Sequence, residues 1–137
     1  MRRLDTSGLL CYHHRDERQH TNAVTFFQTA PVQTAPVRLT HHYVLAEFVP
    51  LCQVRGLNRT DTLAFVTDLL DNPLVEVLWV DETLHRATLT LLQARLDKTY
   101  ALCDAVSFVL LQHRGLTEAL TADHHLEQEG FVRLLEP

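Results

Sequence analysis

Positive charge is in short supply in this chain of 137 residues: 12 Lys+Arg face 17 Asp+Glu, a formal net charge of −5. That balance excludes a protein that grips nucleic acid through a broad basic surface. It does not exclude an enzyme that sets metal ions between its carboxylates and a phosphate. Cysteine is scarce too. Cys11, Cys52 and Cys103 are widely spaced and form no CxxC pair, which excludes a disulfide framework. All three sit in apolar helical patterns, so buried free thiols in a reducing cytosol are expected. No stretch approaches the roughly 18 apolar residues of a membrane-spanning helix. Met1-Arg2-Arg3-Leu4-Asp5 has neither a long apolar run nor a small-residue cleavage site, so no signal peptide is expected.

What is present is a foldable composition. Hydrophobic residues make up 46% and charged residues 21%, which argues against disorder and supplies a core. The length suits one domain over residues 1–137. Apolar spacing predicts a helix over 16–28, a short strand at Val37-Arg38-Leu39, and a helix from a Thr40 cap to Arg55, closed by Gly56. A helix opened by Asn58 or Thr60 presents Leu63, Val66, Leu69 and Leu70 on one face. VEVLWV, Val75 to Val80, is the clearest strand. Asp81 or Thr83 caps the next helix, and Tyr100 to Arg114 forms another, ended by Gly115. Strands at Glu118–Thr121 and Phe131–Leu135 complete the pattern. Alternating β and α elements read as an α/β fold with a parallel sheet covered by helices. The tandem Gln28-Thr29-Ala30-Pro31-Val32 and Gln33-Thr34-Ala35-Pro36-Val37 reads as an extended connector.

In such folds the active site gathers where strands end. Asp5 follows the first strand and Asp123 the fourth, while Glu47 and Asp104 interrupt otherwise apolar helical segments. Each alone has a bland role as a cap, a turn former or a solvated charge. Together, the proposed topology brings all four to one edge. Carboxylates gathered there repel one another. A hard divalent cation, Mg²⁺ or Mn²⁺, removes that penalty and can activate a water against a phosphodiester.

At these residues the sequence resembles the PIN domain family, and within it the VapC-like toxin ribonucleases. Asp97-Lys98-Thr99-Tyr100-Ala101-Leu102-Cys103-Asp104-Ala105-Val106-Ser107-Phe108 is similar to the family's "DK-x-(W/Y)-S-x-x-D-x-x-S-F" segment. Gly115 to Phe131 is similar to "GI-x-EALT-x-D-x-HF-x-x-AGF". Asp5-Thr6-Ser7 resembles "DTS", and Thr40 to Glu47 resembles "T-x-x-V-x-x-E" with one residue more between Thr40 and Val44. The resemblance implies a three-layer PIN-like domain with a central, mostly parallel sheet of four or five strands flanked by helices. It implies Mg²⁺- or Mn²⁺-dependent cleavage of single-stranded RNA, with Asp5, Glu47, Asp104 and Asp123 as catalytic, metal-binding acids. Thr6, Ser7 and Thr121 are implied as supporting hydroxyls. A homodimer, a cognate antitoxin and a cytoplasmic location follow from the same resemblance. The alternative is a PIN-like interaction domain with impaired catalysis.

Other features have weaker pulls. Three histidine pairs, His13-His14, His41-His42 and His124-His125, are poor chelators, because neighbours on a helix point about 100° apart. His41, His42 and His124 lie near the expected edge, either contacting phosphate or solvating helix starts. Arg15, Arg18 and Arg38 are surface or RNA-path candidates. Trp79 is expected in the core rather than as a stacking platform.

Overall fold

The computed structural model describes residues 2–28, 38–120, 125 and 128–133. Their order is β1 (Arg2–Leu4), α1 (Thr6–His13), α2 (His20–Gln28), β2 (Arg38–His41), α3 (His42–Val54), α4 (Arg59–Asp71), β3 (Val75–Leu78), α5 (Glu82–Gln93), α6 (Leu102–Arg114), β4 (Glu118–Leu120) and β5 (Val132–Arg133). The strands line up as β3-β2-β1-β4-β5, and every pairing is parallel. The chain steps outward from β1 to β2 to β3, then returns to the other side of β1 with β4. The reversal lies between β1 and β4. In open α/β sheets that is where a crevice opens at the carboxyl ends of the strands.

Two apolar clusters flank the sheet. One joins Leu4, Leu9, Val44, Phe48, Leu69 and Cys103; the other joins Tyr100, Phe108 and Leu111 with Leu91, Leu92 and Phe131. Successive strand side chains point to opposite faces. Leu4 therefore enters the first cluster, while Arg3 points toward α6.

The local capping chemistry follows the sequence. Asn58 Oδ1 accepts the Asp61 N–H at 3.0 Å, and Asp81 Oδ1 accepts the Leu84 N–H at 2.8 Å. Gly115 ends α6 at φ 65°, a left-handed conformation suited to glycine.

Several expectations are corrected. The helix expected over 16–28 is α2 alone, starting at His20, and α1 is a separate helix that directly follows Asp5. Between them, His14 to Gln19 offers no apolar residue to anchor a helix and forms turns instead, closed by bonds such as Glu17 N–H to His14 O. Thr40 does not cap α3. It belongs to β2, which stays paired with β3 through His41 and Leu78, so His41 occupies the cap position. In α4 the Asn58 cap sets the phase: Thr62 and Leu69 are buried while Leu63 and Leu70, one residue on, are exposed. α6 begins at Leu102, not Tyr100; Tyr100 lies before it and packs on Phe108 at 4.9 Å.

The VEVLWV strand ends at Leu78, because β2 supplies no partner beyond His41. Val80 N–H is taken instead by His42 Nδ1 at 2.8 Å. Trp79 is therefore 65% exposed rather than in the core. Arg38 is buried in β2, neither at the surface nor on an RNA path. Residues 29–37, which hold most of the repeat, lie outside the described residues.

Candidate active site

Asp5 sits immediately past β1, in extended backbone at the start of α1, and is 4% exposed. Its side chain makes no cap bond to α1. Strand periodicity puts Arg3 on the same side as Asp5, and Arg3 Nη1 lies 3.0 Å from Asp5 Oδ1. Arg3 is fully buried. A buried guanidinium needs a counter-charge and hydrogen-bond acceptors. Asp5 supplies the charge, and Ser107 Oγ on α6 accepts from Arg3 Nη2.

Ser107 is the hub of this buried group. Its hydroxyl donates to Cys103 O at 2.9 Å, and His41 Nε2 lies 2.9 Å from its oxygen. Ser107 donates to Cys103 O and accepts from Arg3; Arg3 Nη2 also lies 3.3 Å from His41 Nε2, and because a guanidinium only donates, Nε2 either accepts from Arg3 or donates to Ser107. His41 is fully buried at the end of β2. Burial above all, then the neighbouring positive charge of Arg3, then His42, lowers its pKa to about 2. It is therefore a neutral structural group and does not meet phosphate as a cation.

Asp104 occupies the first turn of α6. Its Oδ2 accepts the Ala101 N–H at 3.1 Å and lies 3.3 Å from His125 Nδ1. His125 Nε2 reaches Thr99 Oγ1 at 3.3 Å. Glu47 is on an exposed position of α3, between the buried Leu45 and Phe48.

One atom registers all three acids. The Cys103 thiol is pushed well above its ordinary range, first by burial, then by Glu47, Asp5 and Asp104; only Arg3 opposes them. Asp5, Glu47 and Asp104 thus all act electrostatically on the one buried thiol. Their donors are carboxylate oxygens, the chemistry a hard divalent cation prefers. Among the described residues, no three metal-type side chains already enclose a single ion position. Asp123 and Thr121 lie outside the described residues. Thr6 is buried with no hydrogen-bond partner for Oγ1 among the described residues, and Ser7 is half-buried.

Sequence reasoning missed Arg3, His41, Ser107 and His125 as a supporting set. A signal existed for two of them: Arg3 is a charge two positions before Asp5 in a strand, and Ser107 lies on the same apolar helix as Asp104. The three cysteines are buried and free, as expected. Among the described residues, no helix is long and apolar enough to cross a membrane.

No family model and no curated protein matches the sequence. Among solved structures the chain is similar to the crystal structure of Mycobacterium tuberculosis VapC20, a Sarcin-Ricin loop cleaving toxin. The TM-score is 0.86 at 25% identity, over 100% of both chains.

Proposed function

We propose, from the premise that this chain is a VapC-like PIN domain, that it is a metal-dependent endoribonuclease cutting single-stranded RNA. On this reading it is the toxin of a type II toxin–antitoxin pair, a single domain over residues 1–137 that works in the cytoplasm, forms a homodimer and is held by a cognate antitoxin. The observation that carries the reading is the likeness to VapC20 over the whole of both chains, with Asp5 buried just past β1 and Asp104 in the first turn of α6. An RNA loop is a substrate to try first, since VapC20 is named for cleaving the Sarcin-Ricin loop.

Asp5, Glu47 and Asp104, joined by Asp123 after β4, would hold Mg²⁺ or Mn²⁺. Such an ion, when bound, supplies charge neutralisation and water activation for phosphodiester cleavage. The protein's own part is positioning. Arg3 fixes the Asp5 carboxylate from beneath. The Ala101 N–H and His125 fix that of Asp104. One of the four acids takes the proton from the attacking water, and Thr6, Ser7 and Thr121 orient their neighbours.

Incubation of the purified protein with unstructured and looped RNAs, with Mg²⁺ or Mn²⁺, tests this. Cleavage is expected, and Asp104→Asn should reduce it about 100-fold or more. Equal cleavage by that variant refutes the site. The Arg3–Asp5 pair favours a second reading, because a cation already sits on one proposed ligand: a PIN-like interaction domain that does not cut. Calorimetry with Mn²⁺ separates the two. Binding by the unaltered protein, lost in Asp104→Asn, supports the nuclease; no binding supports the interaction domain.

A further inference from the structure

Just past the last paired residues of β2 and β3, His41 and Leu78, the chain carries His42 and Trp79 side by side. Their rings lie 5.0 Å apart and 33° from parallel. His42 is held in place. Its Nδ1 accepts the Val80 N–H at 2.8 Å, and Tyr43 meets its ring edge-on at 4.8 Å. Tyr43 Oη is anchored in turn to His85 Nδ1 at 2.7 Å. The indole thus rests on a fixed ring while remaining 65% exposed; among the described residues, the other exposed large hydrophobics are all aliphatic. Trp79 also lines an open cleft of about 300 Å³ with Leu84, Leu110 and Arg114.

The register places this pair relative to the acids. Arg3 pairs with Leu39 and Leu39 with Glu76, so Asp5, His41 and Leu78 share one level across the sheet. Neighbouring strands lie about 4.8 Å apart, which sets Trp79 about 10 Å along the same edge from Asp5. That is the reach of a nucleotide next to a phosphate bound at the acids. The basic charge needed to hold a long backbone is scarce, so affinity must come from elsewhere. Stacking needs no charge and accepts any base, since every base has a π-face.

We propose that Trp79, backed by His42, is the stacking platform for an unpaired RNA base beside the scissile phosphate. This rests on the nuclease reading above and names how the substrate is gripped.

Trp79 is the chain's single tryptophan, so its emission reports on this position alone. The test is made in the Asp104→Asn background, which keeps the RNA intact. Short oligoadenylate is titrated while emission and the polarisation of a labelled copy of the RNA are followed together. Saturable quenching that tracks polarisation is expected, with no quenching by an abasic ribose-phosphate chain of equal length. Trp79→Ala should weaken RNA binding about 5- to 150-fold, and Trp79→Phe should stay within about 3-fold. RNA bound without any change in emission, or bound equally well by Trp79→Ala, overturns the platform. So does an emission change produced by concentrating the protein alone and unaltered by RNA, which assigns the face to a second copy. Absence of RNA binding by either measure also overturns the platform, while the nuclease reading stands or falls by cleavage with the unaltered protein.

Discussion

Arg3 shows how one residue can be misjudged. An arginine in a short first strand looks like a loss of core, yet Arg3 is fully buried and holds Asp5, Ser107 and His41 about itself. Its burial was illegible because its acceptor on α6 is 104 residues away. Removing one partner of a buried ion pair leaves an uncompensated charge, at a cost of about 3–5 kcal/mol. Arg3→Met is expected to lower stability by that order in urea unfolding. The double variant Arg3→Met/Asp5→Asn should recover part of the loss; a purely additive double variant argues against the pair.

His41 gives a pH prediction. An ordinary histidine titrates near 6.5, whereas His41 in the fold stays neutral down to about pH 2. Above about pH 6.5 neither folded nor unfolded chain holds this proton, and the contribution is complete. As pH falls below that, only the unfolded chain takes the proton, and stability drops by up to about 1.4 kcal/mol per pH unit until about pH 2. His41→Asn should flatten the fall of the urea midpoint between mildly acidic and neutral pH. An unchanged slope would show that other groups set it.

At the scale of elements, what was legible was what is local. Asn58, Asp81 and Gly115 stop or start helices through bonds made within a few residues. Asn58→Ala is expected to cost about 1 kcal/mol, measured by thermal or urea unfolding, with little effect on RNA cleavage, since α4 carries none of the proposed site residues. What was not legible depended on neighbours. An apolar run does not say where pairing stops; β2 decides where β3 ends, and so whether Trp79 is inside or out. Nor did the polar stretch before α2 show that the helix opened by Asp5 ends at His13 and that α2 waits until His20.

For the molecule as a whole, parallel alternation and its edge could be read from the β/α pattern. The return of β4 beside β1, which makes the crevice, could not, because strand order is set by long-range pairing. Of the 17 acids, four belong to the proposed site, and the rest nearly balance the 12 basic residues. A protein with so little excess basic charge should release few counterions. The slope of log affinity for RNA against log salt should therefore be shallow, corresponding to about one to three phosphate contacts. A steep slope would locate a basic surface that the composition does not suggest. Metal bound only by the folded protein should also raise its melting temperature, by the equivalent of about 2.7 kcal/mol at a hundredfold excess over the dissociation constant, and Asp104→Asn should abolish this.

The Arg3–Asp5 contact has a practical side. Asp5 and Arg3 are hostage to each other, so a variant silenced by changing Asp5 should also be a poorly folding one. Low cellular abundance would then mimic lost activity, and a harmless phenotype would say nothing about chemistry. Asp104, half-buried at a helix start and tied to a backbone N–H and His125, is the safer place to disarm the protein for expression, crystallisation or capture of its partner.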